Sequence, residues 1–239
     1  MVPRLAWLGG LALAAAALST AALECPLGPG AAQTVAARYG GAVSFEVWRN
    51  ERHVGHHRVT FAETDNFLRV SSQLDLRVKI LSVEVYRYRY ESTEYWCNNQ
   101  LQRLVAQVND ADNITQVRGE AHDGRLQVGQ PPERTSAVLG TFATTHWHAG
   151  VLATTTVLNS LTGRFNQVRI TPCTARPLGR HSPADTRCYD YTGDLQARVW
   201  YGQDGRWQGL AFKGRDGSRI DYRVPAPPGG HSIGTTSNP

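Results

Sequence analysis

Leu68-Arg69-Val70-Ser71-Ser72-Gln73-Leu74-Asp75-Leu76-Arg77-Val78-Lys79-Ile80 alternates apolar and polar side chains almost without interruption. Strand side chains repeat every two residues. Leu68, Val70, Ser72, Leu74, Leu76, Val78 and Ile80 therefore share one face, and Arg69, Ser71, Gln73, Asp75, Arg77 and Lys79 share the other. A helix would scatter these residues around its axis, so the run predicts one long strand between core and water. Ser72 is the one polar side chain on the inner face. Buried and partnered, it would belong to a solid core; open to an internal space, it would indicate a binding protein.

The same pattern extends outward in both directions. Val43, Phe45 and Val47 form a first strand, Asn50-Glu51 a turn, and Val59 and Phe61 resume the alternation, which reads as a hairpin. Past Ile80, Val83 and Val85 keep one phase while Tyr86, Tyr88 and Tyr90 keep the other. A parity change near residue 85 in a continuing strand predicts a β-bulge, a device that bends sheets at barrel corners. Leu104, Ala106 and Val108 make another strand, ended by Asn109-Asp110-Ala111-Asp112-Asn113. Asp123-Gly124, Asp204-Gly205 and Asp216-Gly217 are hairpin signals, because glycine accepts the positive φ of tight turns. The C-terminal part is consequently a meander with strands over about 188–201, 206–213 and 218–224.

Only Ala143 to Leu161 breaks this rhythm. Trp147, Val151, Leu152 and Leu158 share a helical face there, which predicts a short helix or two. Hairpin-linked strands with one helical insertion predict an all-β fold, an antiparallel barrel or half-barrel plugged or capped by the insertion. A two-sheet β-sandwich is the alternative.

Residues 1–22 read as a signal peptide: Arg4 is the basic start, Leu5 to Leu18 the apolar stretch and Ser19-Thr20-Ala21 a small-residue exit. Residues 23–40, with Pro26, Gly28, Pro29 and Gly30, read as a lead-in; 41–225 form a single β domain and 226–239 a disordered tail. Export to the periplasm or beyond follows from the leader. No later run approaches the roughly 20 apolar residues of a transmembrane helix. Cys25, Cys97, Cys173 and Cys188 then pair as disulfides, with Cys173–Cys188 favoured and Cys25–Cys97 second. The formal net charge is +5, carried almost entirely by dispersed arginines beside only Lys79 and Lys213, which argues against nucleic acid as a partner.

Chemistry is written far more faintly. The chain lacks a nucleophile elbow, a His-Glu-x-x-His helix, a phosphate loop and a dinucleotide fingerprint, so no cofactor is called for and the balance lies against an enzyme. His146 and His148 stand two apart, and on a strand both would point one way as a metal pair, with a carboxylate from elsewhere completing a site. Otherwise they are polar neighbours of a buried Trp147. His53, His56 and His57 sit near a turn, where histidines are usually solvated. Tyr86, Tyr88, Tyr90, Tyr95 and Trp96 form an aromatic row beside Arg87 and Arg89. Such a row either lines a pocket for an amphipathic ligand or stabilises the strand from within the core.

Phe45-Glu46-Val47, Gly55, Val59 to Phe61, Tyr86-Arg87-Tyr88-Arg89-Tyr90, Glu94 and Trp96 occur in an order that is similar to an uncharacterised family of exported bacterial proteins, known as a domain of unknown function. Thr145 to Trp147, Leu158-Asn159-Ser160-Leu161-Thr162-Gly163, Gly193-Asp194-Leu195, Trp200-Tyr201, Trp207, Phe212, Asp216-Gly217 and Tyr222 continue the match. The chain departs from the pattern at His148, where an Asn is expected, and at Ser160-Leu161, where a Pro often precedes the Thr-Gly. The resemblance implies a β-rich fold and no mechanism. A more distant architectural likeness links the chain to periplasmic lipoprotein-carrier proteins, open barrels closed by a helical lid.

These readings point to an apolar or amphipathic ligand, such as a lipid, in a barrel cavity lined by Tyr86, Tyr88, Tyr90, Trp96 and Trp147. Two other classes stay open: a hydrolase or metal-dependent enzyme centred on His146 and His148, and an envelope interaction protein using an exposed strand edge. Oligomeric state is not legible.

Overall fold

Alternating runs become strands over nearly the whole chain, in a computed structural model that describes residues 25–226 apart from Leu27, Pro29 and Arg180. The leader assigned to 1–22 and, but for Ala226, the tail assigned to 226–239 lie outside the described residues. The first eight strands are β1 (Ala42–Arg49), β2 (Arg52–Thr64), β3 (Phe67–Ile80), β4 (Val83–Cys97), β5 (Gln100–Asp110), β6 (Asn113–His122), β7 (Arg125–Val128) and β8 (Thr135–Val138). After them come β9 (Phe142–Ala143), β10 (Thr156–Leu158), β11 (Phe165–Cys173), β12 (Arg187–Gly193), β13 (Ala197–Tyr201), β14 (Trp207–Lys213) and β15 (Arg219–Arg223).

All fifteen join one sheet, in the order β8 to β1, then β15 down to β9. Chain neighbours pair antiparallel, except that β9 lies parallel to β10 and that β8 and β9 do not pair, and the first strand closes on the last. One continuous sheet replaces the two-sheet sandwich. Glu94 of β4 and Tyr201 of β13 both bind the segment between β9 and β10, so the sheet curls around that segment as a half-barrel. Its two free edges are β8 and β9.

The decisive run is β3, with Leu68, Val70, Ser72 and Leu74 buried on its inner face. The hairpin turns at Asn50-Glu51 and Asp123-Gly124 fall where their residues put them. Four readings need correction. First, the parity change after Ile80 is not a bulge in one continuing strand. Leu81-Ser82 reverses the chain into β4, and the register shift lies at Val78/Lys79. Second, residues 188–201 are two strands rather than one, broken after Gly193, whose positive φ and close approach to the Gln167 carbonyl admit no side chain.

Third, the 23–40 lead-in contains a helix, α1 (Ala31–Ala37), with Ala32 and Ala36 buried. Alanine is the strongest helix former, and the nearby glycines and proline masked that signal. Fourth, the 143–161 insertion holds only a 3₁₀ turn, Ala149–Ala153, between short strands. Its apolar residues Trp147, Val151, Val157 and Leu158 are nonetheless buried. Threonines at 154–156 oppose helix and favour extended backbone.

Two disulfides, Cys25–Cys97 and Cys173–Cys188, tie the helix lead-in to β4 and β11 to β12. They are compatible with an exported protein. Among the described residues no helix is long and apolar enough to cross a membrane.

Candidate functional site

Even-numbered residues of β4 point inward, which stacks Tyr88, Tyr90, Ser92, Glu94 and Trp96 along the barrel interior. The row anticipated from the sequence is therefore real from Tyr88 to Trp96. Tyr86 shares its parity but stands beyond the barrel, more than a third exposed, its hydroxyl donating to Asp110 at 2.7 Å. Tyr95 points outward against Phe67. Trp147 reaches Trp96 edge to face at 5.3 Å, so the fold brings together the two tryptophans of the anticipated site.

Between them sits Glu94, fully buried. Both indoles donate to one carboxylate oxygen, Trp96 at 2.7 Å and Trp147 at 3.0 Å. Burial raises the carboxyl pKa above its ordinary value, partly offset by hydrogen bonds from Trp147, Thr145 and Trp96. Glu94 was visible in the sequence only as one acid among many. Nothing local announces that two indoles 51 residues apart will converge on it, since 147 and 96 meet only when the insertion enters the barrel.

The insertion is held by hydroxyls from the opposite wall. Tyr39 donates to the Trp147 carbonyl at 2.5 Å and accepts from the Trp207 amide at 2.7 Å, and Tyr201 donates to the His146 carbonyl at 2.8 Å. Tyr90 donates to Ser160 at 2.9 Å. The segment is thus a plug anchored to β4, to β13 and, through Tyr39, to the chain just after α1.

His146 and His148 are not a metal pair. They lie outside any strand, and His146 has a φ of 60°, which swings the two rings apart. The His146 ring faces Tyr191 and Trp207, whereas His148 lies parallel to Trp96 and bonds to Asn99 at 2.8 Å. The Gly150 amide donates to His148 Nδ1, so the proton shared with Asn99 sits on Nε2. Among the described residues no group of three His, Cys, Asp or Glu side chains is arranged to hold a metal.

A different histidine joins the interior. A place near the turn predicts solvated rings for His53, His56 and His57, but of the three only His53 and His56 are exposed. His57 shares parity with Val59 and Phe61 and is buried, stacked edge-on to Trp207 and Tyr222, each at 5.5 Å. Extending the alternation back by one step finds it. Burial lowers its pKa from 6.5 to about 3, with neighbouring His146 adding to the effect, and lowers that of His146 to about 4. Burial also pushes the Tyr88 phenol up to about 12. The two buried imidazoles of the interior are therefore uncharged at neutral pH.

Several of its polar atoms have no partner within the protein. Both ring nitrogens of His57, Nδ1 of His146 and Oγ of Ser72 are fully buried and unpaired. Ser72 lies opposite Ser92, and His57 lies opposite Leu74, itself opposite Tyr90, so these groups occupy adjacent rows of one wall. A neutral imidazole offers one donor and one acceptor. The barrel interior therefore combines apolar side chains with unused hydrogen-bonding capacity. Two surface concavities lie elsewhere: one of about 430 Å³ around the Cys173–Cys188 disulfide, and one of about 310 Å³ among His56, Arg58, Gln73, Asp75, Arg89 and Glu91 outside β2–β4. Neither lies behind the tyrosine row.

Residues 45–224 match the model of a domain of unknown function, DUF6134, and the chain belongs to that family. No curated protein matches it. Among solved structures, it is similar to a beta-barrel-like protein of domain of unknown function DUF1849 from Brucella abortus, with a TM-score of 0.54 at 11% identity over 77% of this chain and 94% of the other. That likeness bears on the fold alone.

Proposed function

We propose that this DUF6134 protein is an exported, non-catalytic binding protein. It takes up an uncharged apolar or amphipathic molecule, a lipid being the fitting class, between the inner sheet face and the plug formed by the 143–161 insertion. One observation carries the reading: His57, His146 and Ser72 present buried, unpaired polar atoms among the apolar side chains of the barrel interior. An unsatisfied buried polar atom costs about 1–3 kcal/mol, and native interiors keep few of them. A ligand with a hydroxyl, ester or carbonyl group and an apolar body would satisfy both the atoms and the walls.

Uptake on this reading requires the plug to swing outward, since the two concavities lie outside the barrel. Gly140 and Gly163, both at positive φ, bracket the plug and are its natural hinges. The leader and the two disulfides support export to an oxidising compartment.

Native mass spectrometry of protein purified from its own cells should reveal a co-purifying apolar molecule. Delipidated protein should bind Nile red, and Ser72→Leu, which fills the inner wall, should weaken that binding about tenfold. A ligand-free mass together with dye binding absent, or indifferent to Ser72→Leu, would sink the proposal.

A further inference from the structure

The two longest strands outrun their neighbours. β2 pairs with β3 only as far as Gly55–Leu76, and β5 pairs with β4 only from Tyr88–Asp110, so the ends of β3 and β4 leave the sheet together. The resulting arm projects four residues beyond Leu76, roughly 13 Å at the rise of an extended chain. Its tip is apolar and open: Leu81 is 95% exposed, Val83 64% and Val85 53%, with Ile114 at 61% in the adjacent turn region.

The turn itself is out of character for this molecule. Six two-residue connections share nearly the same left-handed backbone, with φ of 46–49° and then 64–71°. Asn50-Glu51, Asp65-Asn66, Asn98-Asn99, Ala111-Asp112 and Asp123-Gly124 each supply at least one Asn, Asp or Gly, the residues that tolerate it. Leu81-Ser82 supplies none. A branched apolar side chain is thus held in an unfavourable backbone region at the most exposed point of the fold, with no gain to the core.

Arg77, Lys79 and Arg87 flank this tip against Glu84, which pairs across the arm from Lys79. Asp75 at the base is occupied by Arg77 and Arg87, and Asp110 by the Tyr86 hydroxyl; Arg89 follows on β4, and Asp112 lies in the neighbouring turn. Over residues 77–87 the arm carries three cations against one anion behind an apolar point, whereas the groups at its base, Arg89 against Asp75, Asp110 and Asp112, are acidic in balance. A narrow ribbon tip offers far less than the roughly 800 Å² per partner of a stable protein interface. A fluid acyl layer, by contrast, receives separate side chains from any direction, and anionic headgroups match the basic collar.

We propose that the β3–β4 arm docks this protein on an anionic phospholipid bilayer by inserting Leu81, Val83 and Val85. The occupant is the bilayer surface. The proposal does not depend on ligand uptake by the barrel.

The test is co-sedimentation of the intact protein with vesicles of phosphatidylethanolamine and phosphatidylglycerol. Wild type should bind them, more weakly as salt rises. Leu81→Asn and Val83→Thr should each cut binding about tenfold, as for withdrawing an aliphatic side chain from an apolar phase. Leu81→Asn should melt no lower than wild type, because Asn suits the turn, and should leave Nile red binding unchanged. Absence of vesicle binding by wild type, or variants that bind as well as wild type, overturns the proposal. So does a dimer that dissociates with Leu81→Asn in sedimentation velocity while vesicles are ignored, since the tip then serves a second copy.

Discussion

The two ends of this half-barrel solve opposite problems. At the plug end Trp96, Trp147 and Glu94 are driven fully out of water and both indoles donate to one Glu94 oxygen, while the other Glu94 oxygen and polar atoms of His57, Ser72, Ser92, His146 and Tyr191 stay buried and unpaired. At the arm end aliphatic side chains stand in water with no protein to cover them. The contrast shows that exposure at the tip is not a shortage of ways to bury surface. The same chain buries four tryptophans almost completely elsewhere.

Deleting the plug's anchor should have the largest effect. Trp147→Ala removes a buried ring and one of the donors to Glu94, and should cost about 5 kcal/mol in urea unfolding. A loss below about 2 kcal/mol would mean that the plug contributes little to the stability of its end.

Cross-links refine the same comparison. Replacing Cys25 and Cys97 by Ala opens a 72-residue separation and should cost about 4 kcal/mol, whereas the Cys173/Cys188 pair, 15 apart on an outer loop, should cost about 3 kcal/mol. Chemical denaturation of both double variants checks the order.

Acid should attack the interior before the arm. The folded pKa of His57, about 3, lies below its ordinary 6.5, so the unfolded chain takes up the proton first. The stability of the neutral ring is thus complete above pH 6.5 and is lost as pH falls toward 3, with His146 adding a loss toward 4. His57→Phe should flatten this part of a stability–pH profile by roughly 3 kcal/mol. Glu94 runs the other way: its raised pKa means that the unfolded chain ionises first above 4.5, so stability declines as pH rises. Glu94→Gln keeps an acceptor for both indoles and should remove that alkaline decline. An unchanged profile in either variant would place the titrating groups elsewhere.

The smallest effect belongs to the arm. Leu81→Asn should stabilise the fold by about 1 kcal/mol, since Asn accepts the left-handed backbone that Leu resists. A destabilised Leu81→Asn would show that the tip is packed in solution, and the contrast between the two ends would fail.

Much of the fold was legible because its signals are local. Asn50-Glu51 and Asp123-Gly124 mark turns by their own side-chain and backbone preferences, and β3 declares its burial by parity alone. Leu81-Ser82 was illegible for the converse reason: neither residue favours a turn, so the reversal passed for a bulge in one long strand. His57 was legible but hidden among exposed neighbours, and its parity with Val59 was the overlooked signal. The convergence of Trp96, Trp147 and Glu94 had no signal at all, because it depends on where a threonine-rich insertion travels after the sheet has curled.

By itself the sequence determined the β character of the chain, the inward face of β3, the turns marked by Asn, Asp or Gly and the pool of cysteines, all of which depend on interactions within a few residues. Tertiary structure decided the closure of β1 on β15, the divergence of His146 from His148, and the burial of Glu94 and His57 in one interior. It also decided that β3 and β4 project past their neighbours. Register across a sheet and the burial of a charge are set by groups far apart in the chain, and only the assembled barrel brings those groups within reach of one another.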